Sequence, residues 1–184
     1  MDILVIIILF RICYVATKTG LPVELFKLLG TILATYLSLH YFTMLSDFVR
    51  ERTAFIKNIL PLEFADFLAF SILAIIGYLV FVILREVMHW LIKMESAPKL
   101  NKWGGLVLGI GRGILFSSLV VFLLAISSIG YFKGSATNSY FGKRMFKVAS
   151  VTYSGLWNGL MSKFMTQEKF NNTVLEVQEG FNKP

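Results

Sequence analysis

The sequence is poor in charged residues and contains a single cysteine. Only 16% of its 184 residues are charged, whereas an average soluble domain has about 25%. Hydrophobic residues make up 56% of the chain, and the mean hydropathy is +0.70. Cys13 cannot form a disulfide within the chain, and a lone thiol argues against a cysteine-based metal site. Such a composition is typical of a polytopic membrane protein.

The sequence also lacks the motifs of the common enzyme classes. It has no HExxH, no GxSxG, no Walker-type phosphate loop and no dinucleotide fingerprint. Five glycines lie within residues 104–113, but they lack the GK[ST] ending of a phosphate loop and lead into an apolar run. His89 fits a membrane-surface position, and His40 has no metal ligands clustered beside it. We therefore predict no enzyme activity, no metal and no cofactor.

The net charge of +7 raises the question of nucleic-acid binding, but the distribution of charge argues against it. The Lys and Arg residues lie mainly between the apolar runs and in the C-terminal part. There they fit positions that face anionic lipid headgroups. The sequence therefore predicts the lipid bilayer as a partner, and no nucleic acid.

Four apolar stretches predict an all-α integral membrane protein with about four transmembrane helices. The predicted spans are residues 3–17, 22–45, 65–85 and 104–132. Within the third, residues 67–84 carry no charge, and a helix of that length rises about 27 Å, close to the thickness of a bilayer core.

The first span is short and is interrupted by Arg11. A cleaved signal peptide is the alternative, but the acidic Asp2 does not suit its positive amino-terminal region. Gly20 and Pro22 then mark a break, with Gly20 suited to a turn and Pro22 to the first turn of a new helix. Because this turn is so short, we expect the first two helices to form an antiparallel hairpin.

Two further regions are predicted to lie at the membrane surface. Residues 46–61 have apolar side chains on one helical face and charged ones mostly elsewhere, which indicates an interfacial amphipathic helix, with a plain loop as the alternative. Residues 133–184 form a basic, amphipathic and partly helical C-terminal tail beyond the membrane domain of residues 1–132.

A row of small residues marks the fourth predicted helix as a packing surface. Gly105, Gly109, Gly113 and Ser117 recur at four-residue intervals and therefore lie on one helical face, where another helix can approach closely. Arg112 lies beside this face. We expect the glycine face, defined by these four residues, to form a contact within the bundle or between subunits.

Three ionisable residues are the candidate functional side chains inside the membrane: Arg112, Glu24 and Arg11. Glu24 can pair locally with Lys27 at the i, i+3 spacing, near the interface. Alternatively, Glu24 faces Arg11 or Arg112 within the bundle, because buried charges in membranes seek partners.

The Lys and Arg count gives an expected topology. With four spans, the amino terminus, residues 46–64 and the early tail share a side, which carries seven Lys and Arg residues against five on the other side. This count favours both termini in the cytoplasm.

Two stretches carry a resemblance to a known family. The first is Asp2 and an apolar run, followed by residues 18–30, KTGLPVELFKLLG, and the second is residues 101–113, NKWGGLVLGIGRG. Together they resemble the colicin V production (CvpA) family of bacterial inner-membrane proteins. The resemblance extends over roughly residues 1–130 and implies a multi-pass protein of the cell inner membrane that supports toxin production or export. It carries no catalytic motif. The matching positions are Gly20, Glu24, Gly30, Gly105, Gly109, Arg112 and Gly113.

Three functional hypotheses follow. The first, implied by the resemblance, is a non-enzymatic membrane factor for the production or secretion of a colicin V-like toxin and for envelope homeostasis. The second is a small oligomeric transporter or channel with Arg112 and Glu24 in its polar path. The third is a membrane scaffold that recruits a partner through its tail. Each allows a homo-oligomer or another membrane protein as partner.

Overall fold

The computed structural model describes residues 1–52, 61–91, 98–127 and 129–182, and these residues form helices and no strand. The chain is thus an all-α membrane protein, as predicted. In chain order the helices are α1 (Asp2–Thr19), α2 (Leu21–Arg52), α3 (Leu62–Leu91), α4 (Pro98–Ile126), α5 (Gly130–Thr137), α6 (Tyr140–Leu156) and α7 (Thr173–Asn182). A π-helical turn, Trp157–Met161, and a last turn, Ser162–Phe164, continue α6.

Three helices of the described residues, rather than four, are long and apolar enough to cross a membrane. They are Leu21–Arg52, Leu62–Val87 and Asn101–Ile126. The predicted first span corresponds to α1, whose 18 residues include Asp2, Arg11 and Lys18. Because these three charges lie within its 18 residues, α1 has no stretch of that length as poor in charge as those of the other three helices. Even so, α1 exposes an apolar stripe that suits contact with lipid, formed by Ile3, Ile7, Phe10 and Tyr14.

The four long helices pack with α4 at the centre. α2 packs along α3 over most of its length, and α4 contacts both α1 and α2. The α2–α3 contact is close at Gly77, where an added Cβ would lie 2.7 Å from the Ala34 Cα. Sequence reasoning did not single out this glycine.

The predicted hairpin of the first two helices is wrong. α1 packs chiefly against α4 and has only sparse contacts with α2. Gly20, which joins the two helices, has φ 83° and ψ 169°, a backbone conformation that favours glycine. This turn directs α1 away from α2 and onto the glycine face of α4.

Two predicted boundaries also differ from the observed ones. Residues 46–52, expected to begin a surface helix, continue α2 to Arg52, and residues 53–60 of that prediction lie outside the described residues. The span expected to reach residue 132 ends at Ile126, and α5 begins after Ile129, whose backbone is extended. An apolar composition therefore continues past the end of the helix.

The tail packs on the membrane helices. α6 contacts α4 and α2, and α7 contacts α6. The Phe146 ring of α6 stacks on the Phe122 ring of α4, with ring centroids 5.1 Å apart. Tyr153 and Val174 are fully buried in the same apolar core. The segment beyond residue 132 is thus joined to the bundle by packing.

Candidate functional site

Glu24 lies in the first turn of α2 and is fully buried. Its Oε1 accepts hydrogen bonds from Thr19 Oγ1 at 2.6 Å and from Lys27 Nζ at 2.8 Å. Its Oε2 lies 3.0 Å from Arg112 Nε, an ion pair whose atoms are not aligned for a hydrogen bond. Both arrangements considered for Glu24, the local pair with Lys27 and the pair with Arg112 across the bundle, occur together.

The charge cluster of Glu24, Lys27 and Arg112 holds two cations and one carboxylate. Arg112 is 8% exposed, and the Lys27 side chain is 12% exposed. In such a poorly solvated place each charge needs a partner, because removal from water costs several kcal/mol per ion. One positive charge of the cluster is left without a matching carboxylate.

Arg11 forms no ion pair with Glu24 but lines the same cavity as Arg112. Both arginines line one cavity of about 370 Å³, together with residues of α2 and α3. Arg11 is exposed on α1, and among the described residues it makes neither a hydrogen bond nor an ion pair. Of the three predicted ionisable residues, two are therefore paired and the third faces the same cavity.

The turn before α2 is attached to the start of α4. The Leu21 backbone N–H donates to Asn101 Oδ1 at 2.7 Å, and Gly20 lies directly against the Asn101 side chain. Pro22 occupies the first turn of α2, where its missing N–H costs no helical hydrogen bond. The turn therefore places Glu24 beside α4, within reach of Arg112.

The glycine face of α4 receives α1 within the same chain. A Cβ added at Gly105 would lie 2.7 Å from the Ala16 carbonyl oxygen, and one added at Gly109 would overlap the Ala16 Cβ. At Gly113 the nearest atom would be Leu9 Cδ2, at 3.0 Å. Ser117 is fully buried, and its hydroxyl has no hydrogen-bond partner among the described residues.

Sequence reasoning missed a second polar cluster, centred on the buried His40 of α2. His40 Nδ1 lies 2.8 Å from Tyr153 Oη, and His40 Nε2 lies 2.8 Å from Glu168 Oε2. Its ring stacks on Tyr36 and Trp157, with centroids 5.1 Å and 5.0 Å away. This histidine cluster attaches the tail to α2.

The residues around Asn171 complete the attachment of the tail. The Asn171 side-chain amide donates to the carbonyl oxygens of Leu39 and His40 at 2.9 Å and 3.2 Å. Its backbone N–H donates to Tyr153 Oη at 2.9 Å. Burial raises the pKa of the Tyr153 hydroxyl above its ordinary value of 10.0, a shift that the Asn171 hydrogen bond opposes and the nearby Glu168 carboxylate adds to. Tyr153 therefore stays a neutral hydrogen-bonding group near neutral pH.

The two clusters stabilise the packing of the helices. Within the described residues, no three His, Cys, Asp or Glu side chains come close enough to hold a metal ion. The charge cluster fixes the start of α2 against α4, and the histidine cluster fixes the tail against the second half of α2. The cavity beside the charge cluster is the place where these helices present unpaired positive charge.

Comparison with known proteins gives one family. The family model described as Colicin V production protein matches residues 1–151. No curated protein and no solved structure matches the chain. The matched residues include all of α1 to α4, with both the glycine face and the charge cluster. With three helices able to cross a membrane and a family match over most of its length, the chain is a membrane protein that belongs to the colicin V production protein family.

Proposed function

We propose that this chain is a multi-pass protein of the bacterial inner membrane that acts as a non-enzymatic factor in the production or secretion of a colicin V-like toxin. The observation that carries the proposal is the family match over residues 1–151. A role in envelope homeostasis is part of the same proposal and likewise rests on the family match.

The packing supports a factor that works as a folded membrane unit. Glu24 pairs with Lys27 and Arg112, and the glycine face is filled by α1. These contacts use the ionisable side chains for assembly. The arrangement suits a protein that holds or positions another membrane component.

A gene deletion in a toxin-producing host tests this function. We expect less toxin in the culture medium, and complementation with the wild-type chain should restore it. Toxin retained inside the cells would indicate a role in secretion, whereas a loss of total toxin would indicate a role in production. If the deletion strain makes and releases toxin at the wild-type level, the proposal is wrong.

An oligomeric transporter or channel is the second candidate, and the cavity between Arg11 and Arg112 favours it. Arg112 also pairs with Glu24, so Arg11→Ala is the cleaner test of a polar path. The variant should insert normally and lose transport of an anion in proteoliposomes. A monomeric mass of the purified particle, with detergent subtracted, would contradict this candidate.

The scaffold hypothesis needs a finer test than deletion of the tail. Because Phe146 and Tyr153 are buried in the core, removal of residues 135–184 would also expose apolar surface of the bundle. Substitution of exposed tail residues such as Phe164, which is 77% exposed, avoids this effect. Phe164→Ser should lose a recruited partner in pull-downs while the bundle stays folded, and retention of all partners would count against a scaffold.

A further inference from the structure

Two cavities adjoin each other on the side of the bundle formed by α1, α2, α3 and α4. The first is the cavity lined by Arg11 and Arg112. The second is an apolar groove of about 350 Å³, formed by side chains such as Ala34, Ala74 and Leu123. Thr31, Tyr78 and Phe116 line both cavities, so the two cavities meet at these side chains. One elongated ligand could therefore occupy both.

The first cavity carries positive charge that the protein does not balance. Arg112 shares the single carboxylate of Glu24 with Lys27. Arg11 has no partner among the described residues. An unpaired guanidinium on an apolar membrane helix is costly, and an anion beside it would relieve that cost. A planar guanidinium also matches the oxygens of a phosphate group.

The charged cavity and the apolar groove follow each other along the bundle in the same order as the headgroup and the acyl chains of a lipid. Glu24 lies three residues after the start of α2, about 4.5 Å along the helix, and the Arg112 side chain reaches it there. Ala34, which lines only the groove, lies ten residues after Glu24, about 15 Å further along α2. On α4, Leu123 of the groove follows Arg112 by eleven residues, about 17 Å, so the groove lies deeper in the membrane. The groove opens to the surrounding lipid at Ile75, which is 58% exposed.

From these observations we propose that the two cavities together bind one anionic phospholipid. Its phosphate binds Arg11 and Arg112, and one of its acyl chains lies in the groove. Basic pockets between membrane helices are known to recognise anionic headgroups. Here the adjoining groove adds apolar contact, so the site recognises the whole lipid rather than a free anion.

Lipid-dependent thermal stability of the purified full-length chain tests the proposal. Phosphatidylglycerol is compared with phosphatidylcholine of the same acyl chains, added to the protein in detergent. At about a hundredfold excess over its dissociation constant, phosphatidylglycerol should raise the melting temperature by about 5–10 °C more than phosphatidylcholine does. Native mass spectrometry should show one retained phosphatidylglycerol per chain.

Two matched variants distinguish lipid binding at this site from a general effect of positive surface charge. Arg11→Gln should lose at least half of the difference between the two lipids. Lys18→Gln removes one positive charge from the same helix, and because Lys18 does not line the cavity, this variant should keep the difference. Ala74→Phe, which fills the groove while both arginines remain, should also weaken the effect.

Three outcomes would overturn the proposal. The first is equal stabilisation by the two lipids, and the second is an equal loss in Arg11→Gln and Lys18→Gln. The third is a full effect from glycerol phosphate, which has the anion but no acyl chain and would indicate a site for a soluble anion. None of these measurements depends on toxin production, so this proposal and the proposed function can fail separately.

Discussion

Glu24 is the residue on which the charge cluster depends, because it is the carboxylate that both Lys27 and Arg112 contact. Loss of one cation still leaves Glu24 with the other cation and with the Thr19 hydroxyl. Loss of the carboxylate leaves two cations facing each other in a buried place. The structure therefore predicts unequal effects for substitutions of the two partners.

We predict that Glu24→Gln lowers the free energy of unfolding by about 3–5 kcal/mol, the usual cost of breaking a buried ion pair. Arg112→Met should cost clearly less, since it removes an excess positive charge together with the pair. The measurement is thermal or denaturant-induced unfolding of both variants in the same detergent. If Arg112→Met lost more unfolding free energy than Glu24→Gln, the cluster would not carry an excess of positive charge.

Gly109 and Gly111 provide a matched pair of substitutions two residues apart on α4. A Cβ at Gly109 would overlap Ala16 of α1, whereas a Cβ at Gly111 would meet no atom within 4 Å. Gly109→Ala should therefore cost about 1–3 kcal/mol through overpacking. Gly111→Ala should instead stabilise the helix by about 1 kcal/mol or less.

The melting temperatures of the two alanine variants test this prediction: Gly109→Ala should melt below the wild type and Gly111→Ala at or above it. Gly109→Leu should go further and separate α1 from α4, while Gly111→Leu should still fold. The glycine face contacts α1 inside one chain, so these changes should alter stability before they alter the oligomeric state. Equal stability of the Gly109 and Gly111 variants would contradict the observed approach of α1.

At the scale of the helix, the sequence predicted the apolar elements well because composition along the chain determines them. The uncharged residues 67–84 lie within α3, and the breaks at Gly20 and Pro61 fall where helices end or begin. The end of α4 was not predictable in this way. Residues 127–132 remain uncharged, so no change in composition marks the end of the helix at Ile126. The backbone is extended at Ile129, just before α5 begins.

Which helices contact each other was harder to predict than where they lie. Arg112 was correctly considered as a partner of Glu24, since few ionisable residues lie inside the membrane segments. The histidine cluster was missed because Tyr153 and Glu168 are 113 and 128 residues away from His40 in the chain. The one local signal was the spacing of Tyr36, His40 and Tyr41, which places polar aromatic side chains together on an apolar helix.

The attachment of the tail to α2 leads to a prediction for two adjacent asparagines. Asn171 donates to three oxygen atoms of α2, whereas the side chain of Asn172 is exposed. Asn171→Ala should weaken docking of the tail by about 1–3 kcal/mol, because it removes the side-chain hydrogen bonds that join the tail to α2. Asn172→Ala should have little effect.

Limited proteolysis between residues 165 and 172 compares these two variants directly. We expect faster cleavage of Asn171→Ala and wild-type cleavage of Asn172→Ala, with the membrane helices protected in both. The same rate of cleavage in both variants would show that the Asn171 hydrogen bonds do not hold the tail.

On the scale of the whole molecule, different segments of the chain meet at the two ends of the bundle. Asp2 accepts hydrogen bonds from the backbone N–H groups of Tyr140 and Phe141, so the start of α1 and the start of α6 lie together. Asn101 contacts the turn between α1 and α2 at the opposite end of α4. The two contacts lie at opposite ends of α1, whose 18 residues rise about 27 Å, close to the thickness of a bilayer core.

This separation makes the topology testable with two cysteine variants in a Cys13→Ser background. Lys147 and Lys102 are both exposed and lie at opposite ends of the bundle. The end with Lys147 also carries most of the basic residues of the tail, and the positive-inside rule therefore assigns it to the cytoplasm.

A membrane-impermeant thiol reagent should label Lys102→Cys in intact spheroplasts and Lys147→Cys only after lysis. The reverse pattern would invert the topology but keep the fold. Labelling of both sites in intact spheroplasts would mean that the two ends are not separated by a membrane, and it would contradict the assignment of these helices as spans.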